Sequence, residues 1–124
     1  MIPVEQTRLG YPNGNCFNAC IASVLERPLE EIPDLMLGTD GKGKGWWPLY
    51  QQWFREQGFE ATAYLYDDIW FPRGYSLMSA QSPRGDFLHS VVCLDGNVVW
   101  DPHPQREMGL GQPADWTILK PLAA

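Results

Sequence analysis

Leu88-His-Ser-Val-Val-Cys-Leu-Asp-Gly-Asn-Val-Val-Trp-Asp-Pro102 is the stretch on which the reading of this chain turns. Two runs rich in β-branched and aromatic residues flank Asp95-Gly96, a turn dipeptide, so strands are predicted over 88–94 and 97–101 with a tight hairpin between them. The loop length decides which side chains meet. A two-residue loop pairs Leu94 with Asn97 and sends His89 and Asp101 to opposite faces of the sheet. A three-residue loop, Leu94-Asp95-Gly96 with the glycine left-handed, pairs Cys93 with Asn97. It sets His89 directly across from Asp101, with β-carbons about 5 Å apart. Asp-Gly suits the last two slots of a type I turn followed by a glycine bulge, so the three-residue form is the one expected.

Working outward, the apolar period is two after residue 58. Strands are predicted near 59–66, 75–80 and 115–119 in addition to the hairpin. Before residue 58 the pattern is helical. Phe17, Cys20, Ile21, Val24 and Leu25 recur at steps of three and four, with Asn15 as N-cap and Pro28 bounding the far end. Within 28–37 a short second helix is read, beginning with Pro28 and broken before Pro33, then a glycine and lysine loop from Gly38 to Gly45. A third helix starts near Trp46, carries Trp47, Tyr50, Trp53 and Phe54 as an apolar stripe, and stops at Gly58. Helices first and antiparallel strands second make an α+β fold, expected to be one domain over residues 1–124.

The composition limits what such a domain does. Its 124 residues are 44% hydrophobic with 6 Trp, 5 Tyr and 5 Phe, enough for a packed core. Nine basic against fifteen acidic residues give a net charge of −6, which repels phosphate backbones and argues against nucleic acid as a partner. No apolar run is long enough to span a membrane, and the residues after Met1 lack the basic start and apolar run of a secretory signal. Three cysteines do not make a disulfide scaffold. A cytoplasmic, reduced protein is expected, without cofactor or metal; oligomeric state is not encoded in any readable pattern.

A carboxylate beside a histidine fixes the tautomer and supports the imidazolium, and such a pair serves a nucleophile. Cys16 is the cysteine at a helix start, where the helix N-terminus and a nearby imidazolium both lower a thiol pKa. Attack on a carbonyl carbon then needs donors for the oxyanion: the Cys16 N–H, and the side-chain amide of Gln6 on the preceding segment. Cys20 and Cys93 read as core. His103, held between Pro102 and Pro104, competes with His89 for the role of base and is the weaker candidate. A zinc site from Cys16, Cys20, His89 and His103 does not have the spacing of a hairpin-borne metal site. Gly38-Thr-Asp-Gly-Lys-Gly-Lys44 resembles a phosphate loop but lacks the Ser/Thr for Mg²⁺ and a preceding strand. Trp46 is the aromatic read as facing substrate, and Arg84, in Ser82-Pro-Arg-Gly-Asp, the residue read as gripping a substrate carboxylate.

Gln6, Gly14-Asn-Cys16-Phe, Leu88-His89-Ser-Val-Val and Val99-Trp-Asp101-Pro, in that order, resemble the papain-like cysteine peptidase superfamily. Within it the chain is most similar to compact C39-type bacteriocin-processing peptidases and to small bacterial and phage proteins of that kind. The resemblance implies a papain-like fold with the nucleophile helix first and a thiol hydrolase acting on a peptide or related amide. Cys16 would be the nucleophile, His89 the general base and acid, Asp101 the orienting residue and Gln6 the oxyanion donor. The C39-type pattern has Asp-Cys-Gly at the nucleophile, where this chain has Asn15-Cys16-Phe17, and its interval from Gln6 to Cys16 is longer. Two other functions are compatible with the same residues: an inactive papain-like binding module, and an acyl transferase of transglutaminase or amidase type.

Overall fold

In a computed structural model, residues 1–37 and 45–123 are described. The expected loop at Gly38 to Gly45, with its phosphate-loop-like lysines, therefore falls outside the described residues except for Gly45.

Two α-helices precede five strands among the described residues: α1 (Cys16–Leu25), α2 (Trp47–Glu56), β1 (Phe59–Leu65), β2 (Tyr75–Gln81), β3 (Leu88–Leu94), β4 (Asn97–Trp100) and β5 (Pro113–Pro121). The strands form one antiparallel sheet in the order β1-β5-β2-β3-β4. Alternation along the strands divides the buried residues between two faces. Ala61, Leu77 and Val92 join Phe17, Cys20, Ile21, Tyr50 and Phe54 in a core between sheet and helices. Met78, Ala80, Val91, Cys93 and Trp116 form a second cluster. α2 ends as its sequence predicts: Gln57 caps it, and Gly58 stands next at φ +95°, a conformation in which a side chain is strained.

Two expected elements differ. The short helix read from Pro28 to just before Pro33 is a single 3₁₀ turn, Leu29–Glu31. Pro33 ends it, and Pro33 and Asp34 buttress α1 instead of continuing a helix. The Asn18 amide donates to the Pro33 carbonyl at 3.1 Å and to Asp34 at 3.2 Å, and the Tyr50 hydroxyl donates to Asn18.

The hairpin loop has two residues, not three. Leu94 pairs with Asn97, and Asp95 and Gly96 take φ +50° and +80°, as a type I′ turn requires. That register alone would part His89 from Asp101. It holds for only two pairs, however. Between Val92 and Cys93 the register shifts, so that Trp100 lies across from Val92 while Val98 lies across from Cys93. The extra residue, Val99, is a β-bulge, and one residue of slip reverses the parity of everything beyond it. Asp101 thereby comes to the side on which His89 lies, by a different route from a three-residue loop.

Candidate active site

Cys16 is the first residue of α1, and the path of the chain before it determines what it meets. At Gly14 a β-carbon would lie 2.2 Å from the Gly10 carbonyl oxygen, so only glycine lets the chain fold back there. Asn15 then stands at the N-cap position, but its side chain does not cap the helix. Its side-chain oxygen instead accepts from the N–H groups of Thr7 (3.0 Å) and Arg8 (2.9 Å), and its amide donates to the Thr7 hydroxyl (2.9 Å). The N-terminal arm is thus clamped beside the helix start, and the N-cap expected from sequence is corrected to a clamp. Further contacts bind the arm to the end of β4. The Trp100 indole donates to the Val4 carbonyl at 3.0 Å and the Gln6 N–H to the Pro102 carbonyl at 3.0 Å. Arg106 stacks on Trp100 and pairs with Glu5 at 2.8 Å.

On the other side of the thiol is β3, whose residues 88–91 run past the end of β4's pairing. There the Ser90 N–H donates to the Cys16 sulfur at 3.4 Å. The His89 imidazole is close enough to the same sulfur to govern its ionisation, and its Nε2 lies 2.6 Å from Asp101 Oδ1. With Nε2 engaged by the carboxylate, Nδ1 is the nitrogen left for the thiol. Asp101 Oδ1 also accepts from the His103 N–H at 2.9 Å, which fixes the carboxylate as the carboxylate fixes the ring.

The electrostatics arise from this chain of contacts. Burial pushes the Cys16 thiol up, but the hydrogen bond and charge of His89, with the Ser90 N–H, outweigh it and hold the pKa below the ordinary thiol value. Burial disfavours the His89 imidazolium, yet hydrogen bonds to Asp101 and Cys16 and their negative charge push its pKa up to about 9. Burial likewise raises Asp101, and His89 and the His103 N–H more than reverse it, leaving the carboxyl below its usual range. Near neutral pH the arrangement favours thiolate, imidazolium and carboxylate in a row. The other cysteines differ: burial pushes Cys20 well above the ordinary value and Cys93 up to about 11.

Gln6, Cys16, Arg84, His89 and His103 share one cavity of about 630 Å³. Gln6 is buried; its amide nitrogen donates to the Arg8 carbonyl at 2.8 Å, and among the described residues its second amide hydrogen and its buried carbonyl oxygen have no partner. The Cys16 N–H, in the first turn, has no intrahelical acceptor. Arg84 reaches the Gln105 carbonyl at 3.5 Å through Nη1, while Nη2 is buried with no hydrogen-bond partner among the described residues.

Trp46 is not in this cavity. It lines a second one of about 780 Å³ with Phe17, Trp47, Ser90 and Asp115, and it packs its ring on Phe17 and Tyr50, so it is as much core as cavity wall. Phe87 lines both cavities.

Among the described residues no group of three or more His, Cys, Asp or Glu side chains is arranged to hold a metal ion. The His103 ring, 6.0 Å from that of His89, accepts from the Gln105 N–H on Nδ1 at 2.9 Å, which places its own proton on Nε2. Burial and the charges of Arg84 and His89 keep it below the ordinary imidazole pKa, so it is neutral where His89 is charged.

Sequence reasoning missed three contributors: the Ser90 and His103 N–H groups, which any residue type but proline would supply, and Asp115, whose partner lies on another strand. No helix among the described residues is long and apolar enough to cross a membrane. No protein-family model, curated protein or solved structure matches this chain.

Proposed function

We propose that this protein is a papain-like cysteine hydrolase of a peptide or related amide bond, formed by residues 1–124 as one catalytic domain. The observation that carries the reading is the coupling of the Cys16 sulfur to His89, whose ring is hydrogen-bonded to Asp101, with the thiol lowered and the imidazole raised. The order of parts, with a nucleophile at the start of the first helix and histidine and aspartate on later strands of an antiparallel sheet, supports the papain-like assignment.

In this mechanism the Cys16 thiolate attacks the carbonyl carbon, and the carbonyl π electrons move to oxygen. The Cys16 N–H and the free Gln6 amide hydrogen stabilise the oxyanion. As the tetrahedral intermediate collapses, the C–N bond breaks and the His89 imidazolium protonates the leaving nitrogen, giving an acyl-thioester and an amine. Neutral His89 then takes a proton from water, whose oxygen attacks the thioester; the C–S bond breaks, releasing a carboxylic acid and regenerating the Cys16 thiolate beside the His89 imidazolium. Asp101 holds the ring in position throughout.

The test is labelling with iodoacetamide at pH 6.5, followed by intact mass, alongside mass-spectrometric scoring of a mixed peptide library. The wild type is expected to gain one adduct quickly and to cleave peptides. Cys16→Ala loses both, and Cys20→Ala keeps both. Equal labelling of wild type and Cys16→Ala overturns the reading. Fast labelling of Cys16 with no cleavage indicates the inactive binding module instead, and new amide products on adding glycinamide indicate acyl transfer.

A further inference from the structure

The larger cavity has a floor that the fold does not explain. In the register of the sheet, Ser79 lies across from Asp115, and Thr117 lies across from both Ala63 and Leu77. These positions share parity with Ala61 and Leu77, which pack under the helices. The floor is therefore the part of the helix-facing side that the helices leave uncovered. Its walls are aromatic: Phe17, Trp46, Trp47 and Phe87.

At the bottom of this apolar space stands a carboxylate. Asp115 is partly buried, with Ser79 across from it on β2, and among the described residues no Lys, Arg or His forms an ion pair with it. Burial holds its carboxyl above the ordinary range, a shift that a bound cation would reverse. Asp86, a second carboxylate, lines the same cavity. A partly desolvated carboxylate in a cavity with aromatic walls suits a cation twice over, through a charge-assisted hydrogen bond and through cation–π attraction. The cavity that holds Cys16 has the opposite character, with Arg84 and the His89 imidazolium.

The two cavities also differ in their relation to the reaction. His89 protonates the leaving nitrogen, so the leaving group lies over the cavity that His89 lines. The cavity lined by Ser90 and Phe17, without His89, remains for the acyl portion. We propose that the larger cavity is the acyl-side subsite and that Asp115 selects a lysine or arginine side chain of the substrate there. This rests on the reading of Cys16 as nucleophile. The net charge of −6 draws such substrates toward the molecule.

The experiment uses peptidyl vinyl sulfones that carry Lys or Arg, or the neutral near-isosteres norleucine and citrulline, at either of the two residues before the electrophile. Formation of the Cys16 adduct is timed by intact mass. In the wild type the cationic probes are expected to react about tenfold faster or more, the scale of a charge-assisted hydrogen bond. In Asp115→Asn the Lys-to-norleucine ratio is expected to fall close to one. Equal rates for cationic and neutral probes in the wild type overturn the subsite whether or not the variant folds, and so does a ratio that survives in a folded Asp115→Asn. Iodoacetamide separates the two readings. Rapid alkylation of Cys16 without cation preference removes only the subsite, whereas absence of Cys16 labelling by every reagent removes the nucleophile as well.

Discussion

Cys16 and Cys20 lie one turn apart on the same helix, and the surroundings of each push its thiol in opposite directions. Burial raises both. For Cys20 nothing opposes it: the nearby Cys16, Asp101 and Cys93 add negative potential and push it further up. For Cys16, His89 and the Ser90 N–H reverse the effect. A helix start is a familiar reason to expect a reactive thiol, yet here the decisive partners come from β3, far along the chain. A helix N-terminus supplies position; the imidazole supplies the ionisation. The same contrast separates structural cysteines from reactive ones in general.

His89→Ala breaks the comparison most directly. With the imidazole gone, burial acts on Cys16 as it does on Cys20, and iodoacetamide labelling of Cys16 at pH 7 is expected to fall by about tenfold or more, the thiolate fraction of an unassisted thiol being only a few per cent there. Intact-mass kinetics check it; labelling at the wild-type rate would show that the helix, not the ring, activates the sulfur.

Asn15→Ala sharpens the comparison with a smaller effect. It leaves the His89 contact in place and removes three hydrogen bonds that hold Thr7 and Arg8 beside the helix start. Chemical denaturation should show a loss of about 1 kcal/mol, the low end of the cost of leaving partly buried donors unpaired. The Cys16 pKa should stay low. If reactivity drops to the level of Cys20, the arm and not His89 governs the thiol.

These contrasts also show what the sequence makes legible. Strands over 59–65, 75–81 and 88–94 are readable from period-two patterning, and the stop of α2 from Gly58, because both signals are local. The meeting of His89 with Asp101 is also readable, but on the wrong geometry. Asp95-Gly96 forms a two-residue turn, and parity is restored by a bulge at Val99, which no residue type marks. The Asn15 side chain binds the arm rather than the helix because the Thr7 and Arg8 N–H groups stand within reach, a tertiary fact. Pro28 and Pro33 leave too few residues between them for the expected second helix. Gln6 and Arg84 do line the cavity of Cys16, while Trp46 lines its neighbour. Asp115 carries no signal at all in the sequence, since only strand pairing brings it under the aromatic walls.

The central claim concerns ionisation, and titration of thiolate ultraviolet absorbance reads it without a substrate. The account predicts one step below the ordinary thiol value of about 8.5, present in Cys20→Ala and absent in Cys16→Ala. The thiolate–imidazolium pair then persists as pH rises until His89 loses its proton near its pKa of about 9. A wild-type curve with no step below the ordinary value, and no change on removing Cys16, would contradict it.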